Sequence, residues 1–349
     1  MKKILLPIVL ILIGSSSLKA QFDTQLSNYW ATICYFNPAY AGQSGNLEAT
    51  LMSRIQWLGV TNAPRTTILT ANMPYQLLGR THGFGALMYN DRSGLFSVSA
   101  YYGQYAWKKK MFKGDFSIGI QGGSVTQSFD GTNVHLTDPD PNAPTGGDDS
   151  QSSIDEAIPT TLISGHSIDG SIGIFFAKEK EKWFAGLSVN HVLKPTINLD
   201  DNHPFEIPRS YYFVAGYNIQ LNNPLLELRP TILLKTVEMS SLYLSPDSIT
   251  EVVKANTLKA MLQNSQVDVS VRMVYDKKFW GGLSWRYGDA IILMFGGTFK
   301  SIEAGYAYDF PISRIAKVST GSHELFLRYN MELNLKKKGK YKHKSVRIL

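Results

Sequence analysis

Asp115-Phe116-Ser117-Ile118-Gly119-Ile120-Gln121 alternates polar and apolar residues without a break. In an extended chain successive side chains leave opposite faces, so Phe116, Ile118 and Ile120 share one face and Asp115, Ser117, Gly119 and Gln121 the other. Val267-Asp268-Val269-Ser270-Val271-Arg272-Met273 repeats the pattern, as does Glu324-Leu325-Phe326-Leu327-Arg328-Tyr329. Segments of about ten residues alternating in this way, separated by turn residues, mark a transmembrane β-barrel. A soluble sandwich alternates too, so the pattern needs a second observation.

The connections supply it. Fourteen alternating segments can be marked, at 46–56, 65–75, 82–92, 94–107, 113–124, 168–177, 182–190, 209–218, 227–235, 267–275, 279–287, 290–298, 300–309 and 321–332. The long connections, 57–64, 125–167, 191–208, 236–266 and 310–320, all follow odd-numbered segments. Lys108 to Phe112, Lys178 to Glu181 and Asp276 to Lys278 are short and follow even ones. One face of long loops and one of tight turns belongs to an outer-membrane barrel. The expected fold is therefore all-β: a transmembrane antiparallel up-and-down β-barrel of about 14 strands, with long extracellular loops and short periplasmic turns. Aromatic residues near segment ends, Trp57, Tyr89, Trp107, Trp183, Tyr211, Tyr212, Trp280, Tyr306 and Tyr308, are expected in girdles at the membrane interfaces.

The chain ends divide the sequence further. Lys2 and Lys3 precede an apolar run from Ile4 to Gly14, then small residues up to Ala20, the pattern of a secretory signal peptide over residues 1–20. That run is too short to span a bilayer as a helix. Residues 21–45 are a periplasmic or plug segment, 46–332 the barrel and 333–349 a basic periplasmic tail. The formal charge of +7 falls to +4 without the leader and to −3 without the seven cations of 336–349. The body has no basic stripe, and nucleic acid is not an expected partner. The single Cys34 excludes an internal disulfide.

The inward face carries both charge signs: Glu48, Arg54, Asp115, Arg229, Lys235, Asp268, Arg272, Arg286, Glu303, Glu324 and Arg328. Of these, Glu48, Arg54, Asp268, Arg272, Arg286, Glu303, Glu324 and Arg328 are expected to form a lumen charge network. A mixed-sign interior suits a paired, largely closed barrel better than a pore selective for one sign. Lys336, Lys337, Lys338, Lys340, Lys342, Lys344 and Arg347 are candidate periplasmic contacts. Alternatively the tail is a solvated end, or is drawn to anionic lipid head groups.

Patterns that carry chemistry are few in this chain. The seven His are scattered, and His-Glu-x-x-His, paired-Cys and Gly-x-Ser-x-Gly patterns are absent. No enzyme activity and no cofactor are expected. The acidic stretch 138–156 has oxygen ligands of the kind Ca²⁺ takes, but reads first as a solvated loop.

Asn37-Pro38-Ala39-Tyr40-Ala41-Gly42, Arg54 to Trp57 and Ala63-Pro64-Arg65-Thr66 carry a further likeness. It continues through Asn90-Asp91-Arg92-Ser93-Gly94, Phe184 to Ser188, Arg209 to Tyr217, Leu228 to Lys235 and Tyr287 to Ala290. It closes with Gly305 to Asp309 and Gly321 to Glu324. This ordered set, over about residues 25 to 330, resembles the PorP/SprF family of outer-membrane proteins of the type IX secretion and gliding machinery of Bacteroidetes. Segment 236–266 and the basic tail depart from the pattern. The resemblance implies an outer-membrane component that supports secretion or surface anchoring of a cognate adhesin-like protein bearing a C-terminal sorting domain. It implies periplasmic and outer-membrane secretion components as partners and carries no catalytic residues. The alternative from the residues alone is an outer-membrane transporter or porin for small hydrophobic solutes.

Overall fold

A computed structural model describes residues 24–77, 79–133, 159–178, 182–199, 204–238 and 265–333. The expected signal peptide, the acidic stretch 138–156, most of segment 236–266 and the basic cluster from Lys336 to Arg347 lie outside the described residues. Fourteen strands form the wall: β1 Leu47–Leu58, β2 Arg65–Leu77, β3 Arg80–Ser93, β4 Phe96–Met111, β5 Gly114–Asp130, β6 Leu162–Lys178 and β7 Trp183–Asn190. They continue as β8 Ser210–Tyr217, β9 Leu226–Val237, β10 Gln266–Tyr275, β11 Phe279–Arg286, β12 Ala290–Phe299, β13 Ile302–Pro311 and β14 Gly321–Met331. Each strand pairs antiparallel with the next, and β14 pairs with β1, so the sheet closes without an edge.

The alternation has the sense a membrane requires. In β5, Ser117, Gly119 and Gln121 are buried while Ile118 and Ile120 face outward. In β10, Asp268, Ser270 and Arg272 are buried while Val269, Val271 and Met273 are exposed. The exposed set on the outer face includes Leu51, Ile55, Leu69, Met88, Ile172, Leu187, Leu283, Ile291, Leu293, Phe295, Leu325 and Leu327. An apolar band of that extent is unstable in water and suits the lipid interior. No described helix is long and apolar enough to cross a membrane.

Several boundaries differ from the expectation. β5 runs on to Asp130 and β6 begins at Leu162, so the 125–167 connection shrinks to 131–161. The extra rungs run from Val125↔Ser167 to Asp130↔Leu162, where backbone pairing persists although the polarity pattern has faded. The tight turn placed at Lys108 to Phe112 is narrower: Lys108 to Met111 still pair with β5, and Phe112 and Lys113 make the turn, both at positive φ (53° and 57°). Two-residue hairpins need positive φ at their central positions to follow the twist of their strands. The connection 218–225 follows an even strand yet is not tight, because Ile219–Gln220 folds back on Leu228 and Glu227.

The aromatic girdle is only partly right. Trp107, Trp183, Tyr211, Tyr306 and Tyr308 share the outward parity of their strands. Tyr89, Tyr212 and Trp280 instead face the lumen, and the last two are almost fully buried. They stack there on rings that the wall does not supply. Tyr35 meets Tyr89, Phe36 lies on Tyr212 and Trp30 meets Trp280 edge to face, with centroids 5.7, 5.3 and 5.0 Å apart. All three partners come from the N-terminal segment.

Candidate functional site: the filled lumen

The segment before β1 lies inside the barrel. It forms three one-turn helical pieces, Tyr29–Ala31, Ile33–Phe36 and Pro38–Tyr40, and Gln25 through Ala39 are all buried. A short irregular segment in a narrow lumen exposes backbone groups that require partners. Polar side chains of the wall supply them. Arg286 Nη2 donates to the Leu26 carbonyl at 3.1 Å and Arg328 Nη2 to Ala31 at 2.6 Å. Gln104 Nε2 donates to Cys34 at 2.7 Å and Ser188 Oγ to Phe36 at 2.6 Å. The polar inner face is therefore a set of sockets for one particular backbone.

Towards the turn side the seat is made of glycine. Asn37, fully buried, accepts from the Ala39 amide through Oδ1 and donates through Nδ2 to the Ile174 and Leu187 carbonyls of β6 and β7. Its side chain thus caps the Pro38–Tyr40 turn and joins it to the wall. A Cβ on Gly119 would stand 2.2 Å from the Ala39 nitrogen, and one on Gly83 would stand 1.8 Å from the Ala41 oxygen. Only a residue without a side chain permits that approach. The stretch Asn37 to Gly42 thus reads as a docking sequence. Lys108 joins it, donating to Gln43 Oε1 at 2.9 Å and Ser117 Oγ at 3.1 Å.

The eight residues of the expected charge network fall into two groups. On the loop side Arg54 pairs with Asp309 at 2.7 Å and Glu324 at 3.3 Å, and Arg286 pairs with Asp268 at 2.8 Å and Asp309 at 2.9 Å. Strand register places Arg54 opposite Glu324 and Asp268 opposite Arg286, so pairing alone brings opposite charges together. This group holds the segment: Ser27 Oγ donates to Asp309 and accepts from Arg54, while Glu324 accepts from the Ser27 and Asn28 amides. Arg54 is 2% exposed and Arg286 is 0% exposed, so the ions exist only because they are paired. Asp309, the centre of this group, is missing from the expected set. It shares inward parity with Glu303, six residues earlier on β13, and that spacing was the available signal.

On the turn side Arg328 pairs with Glu303 at 3.1 Å and approaches Glu48 at 4.0 Å. Arg229 pairs with Glu227 at 2.6 Å. Arg272 joins no pair: its guanidinium carbon lies 3.4 Å from the centroid of the Trp30 ring. Lys235 lies close enough to Asp268 of the loop-side group to act on its charge, and its ammonium reaches the Thr24 carbonyl at 3.5 Å.

A third buried polar cluster contains Asp169, which accepts from Tyr102 at 2.7 Å and lies 2.6 Å from His191 Nδ1. It ties β4 to β6 and to the loop after β7. In that loop Thr196–Asn198 pairs with Pro204–Glu206, and buried Ile197 packs over Gly165 of the extended β6. Among the described residues no His, Cys, Asp or Glu cluster suits a metal ion.

The model of the family "Type IX secretion system membrane protein PorP/SprF" matches residues 18–329. No curated protein matches the chain. Among solved structures the Pseudomonas putida toluene transporter TodX aligns at 12% identity and TM-score 0.45, covering 92% of this chain and 96% of that one. A Pseudomonas aeruginosa FadL homologue aligns at 10% identity and TM-score 0.43, covering 84% and 92%. The translocator domain of the autotransporter NalP from Neisseria meningitidis aligns at 9% identity and TM-score 0.39, covering 82% and 88%. With the family model spanning nearly the whole barrel and the segment inside it, this chain belongs to the PorP/SprF family of type IX secretion system membrane proteins and is an integral outer-membrane protein.

Proposed function

We propose that this protein supports the secretion or surface anchoring of a cognate adhesin-like protein as a plugged barrel, a docking platform beside the conduit and not the conduit itself. The observation that carries this reading is the N-terminal segment held in the lumen by the Arg54–Asp309–Glu324–Arg286 group. A polypeptide passing through this barrel would first have to expel that segment and break the hydrogen bonds that Leu26, Ser27 and Asn28 make to these four buried ions. Cargo then meets the outside of the barrel: the long-loop face, where extended β5 and β6 offer backbone and side chains beyond the membrane, or the periplasmic turns. The cargo is proposed to be recognised through its C-terminal sorting domain, with periplasmic and outer-membrane secretion components as further partners. The basic cluster from Lys336 to Arg347 is proposed to contact an acidic periplasmic partner, an attraction that salt screens. Deleting residues 336–349 is expected to reduce adhesin secretion, and unchanged secretion would remove the tail from the account.

Deleting the gene is expected to abolish surface display of one adhesin, measured by protease shaving of intact cells. Normal display of every such protein would overturn the proposal. Transport of small hydrophobic solutes is the competing role, and it requires solute uptake by liposomes holding the purified barrel.

A further inference from the structure

On the turn side the filled lumen leaves a cavity of about 130 Å³. Its roof is Trp30 and Tyr40, its walls include Phe175 and Phe184, and Asn218, in the connection after β8, places its mouth at the periplasmic end. Into it faces Arg272, 6% exposed and, among the described residues, without any hydrogen bond or ion pair; its Nε is buried with no partner. The neighbouring carboxylates are engaged elsewhere, Glu303 by Arg328 and Glu227 by Arg229. The flat guanidinium rests on the Trp30 ring at 3.4 Å, with Trp280 at 5.9 Å, which fixes its place at the cavity wall.

A buried cation with unused donors is costly to keep, and every other buried arginine of the lumen has an acidic or carbonyl partner. We infer that this cavity is a binding site for a carboxylate carried on a small apolar group, entering from the periplasmic side and received by Arg272. The fork of a guanidinium matches the two oxygens of a carboxylate. Arg229 and Arg328 also line the cavity, but Glu227 and Glu303 hold them, so Arg272 is the one unengaged guanidinium among the described residues there and suits a monoanion, while Phe175 and Phe184 receive its apolar body. The volume is close to that of a buried cavity known to hold benzene, about 150 Å³, so the ligand is the size of one side chain. Such a group is either a free organic acid or the end of a polypeptide. The site follows from this geometry and is independent of the secretion role.

The test uses the full chain folded in detergent, with equilibrium dialysis of N-acetylphenylalanine against its amide. The acid is expected to bind at least tenfold more tightly, and Arg272→Met is expected to reduce it to the level of the amide. Arg272→Lys, which keeps the cation and removes the planar fork, is expected to weaken the acid at least threefold, and it serves as the deciding variant if Arg272→Met does not fold. Equal binding of acid and amide, binding of neither, or an acid affinity unmoved by Arg272→Lys would overturn the site. N-acetyl-Ala-Ala-Phe identifies the source. Tighter binding of its free acid than of N-acetylphenylalanine assigns a polypeptide end, and exclusion of the tripeptide assigns a free organic acid; either result supports the carboxylate site.

Discussion

Arg54 is the residue on which the loop-side group turns. It touches Asp309, Glu324 and Ser27 at once, and all four are buried. Removing one partner of a buried ion group strands the others, a loss of about 3–5 kcal/mol. Arg54→Met is therefore expected to lower the unfolding free energy of the detergent-folded barrel by that amount, read from urea titration of its heat-modifiable electrophoretic shift. A change below about 1 kcal/mol would show that the group is not the clamp described here. Gly119 makes a different demand. A methyl group there would meet the backbone of Ala39, so Gly119→Ala is expected to destabilise by about 1–3 kcal/mol, as overpacking does elsewhere. At this scale the sequence was legible where parity sufficed: Arg54, Glu324, Asp268 and Arg286 lie inward because their strands alternate. It was silent on Lys108, read as part of a turn, because the strand continues beyond the point where its polarity pattern stops.

At the scale of the element, strand and inner segment obey different rules. β10 and β12 have period two, so their outward residues can be named from sequence, and Val271→Arg on the lipid face is expected to cost roughly 2–4 kcal/mol near mid-bilayer. Its neighbour Ser270 faces inward, where its hydroxyl meets Tyr29 and Ser284. Denaturation of Val271→Arg in liposomes checks the first value; a cost near zero would place this stretch outside the apolar band. The N-terminal segment has no period. Its three single turns are too short for an amphipathic pattern and gain their form from the wall, through Asn37, the glycine seats and the carbonyl-directed side chains. For that reason its aromatic partners Tyr89, Tyr212 and Trp280 were assigned to the membrane interface: an aromatic residue near a strand end looks the same in sequence whether lipid or another ring receives it.

For the whole molecule, closure of the sheet and filling of its lumen are separate facts with one consequence. The closed sheet removes unpaired edges from the lipid, and the buried segment gives the polar inner face partners other than water. The purified protein is accordingly expected to show no large stable conductance in planar bilayers. Steady openings of porin size would favour the transporter reading. Cys34, the single cysteine of the chain, reports on the same point more directly. It sits in the middle of the inner segment, 2% exposed, against Ala41 and Ala106. Maleimide labelling of the folded barrel in native outer membranes, followed by mass spectrometry, measures whether that segment stays in place. The structure predicts that Cys34 is protected from small membrane-permeant and membrane-impermeant reagents alike, and labels fully once the barrel is unfolded in urea. Labelling in the folded protein as fast as in the unfolded chain would mean that the lumen is not filled by its own N-terminal segment.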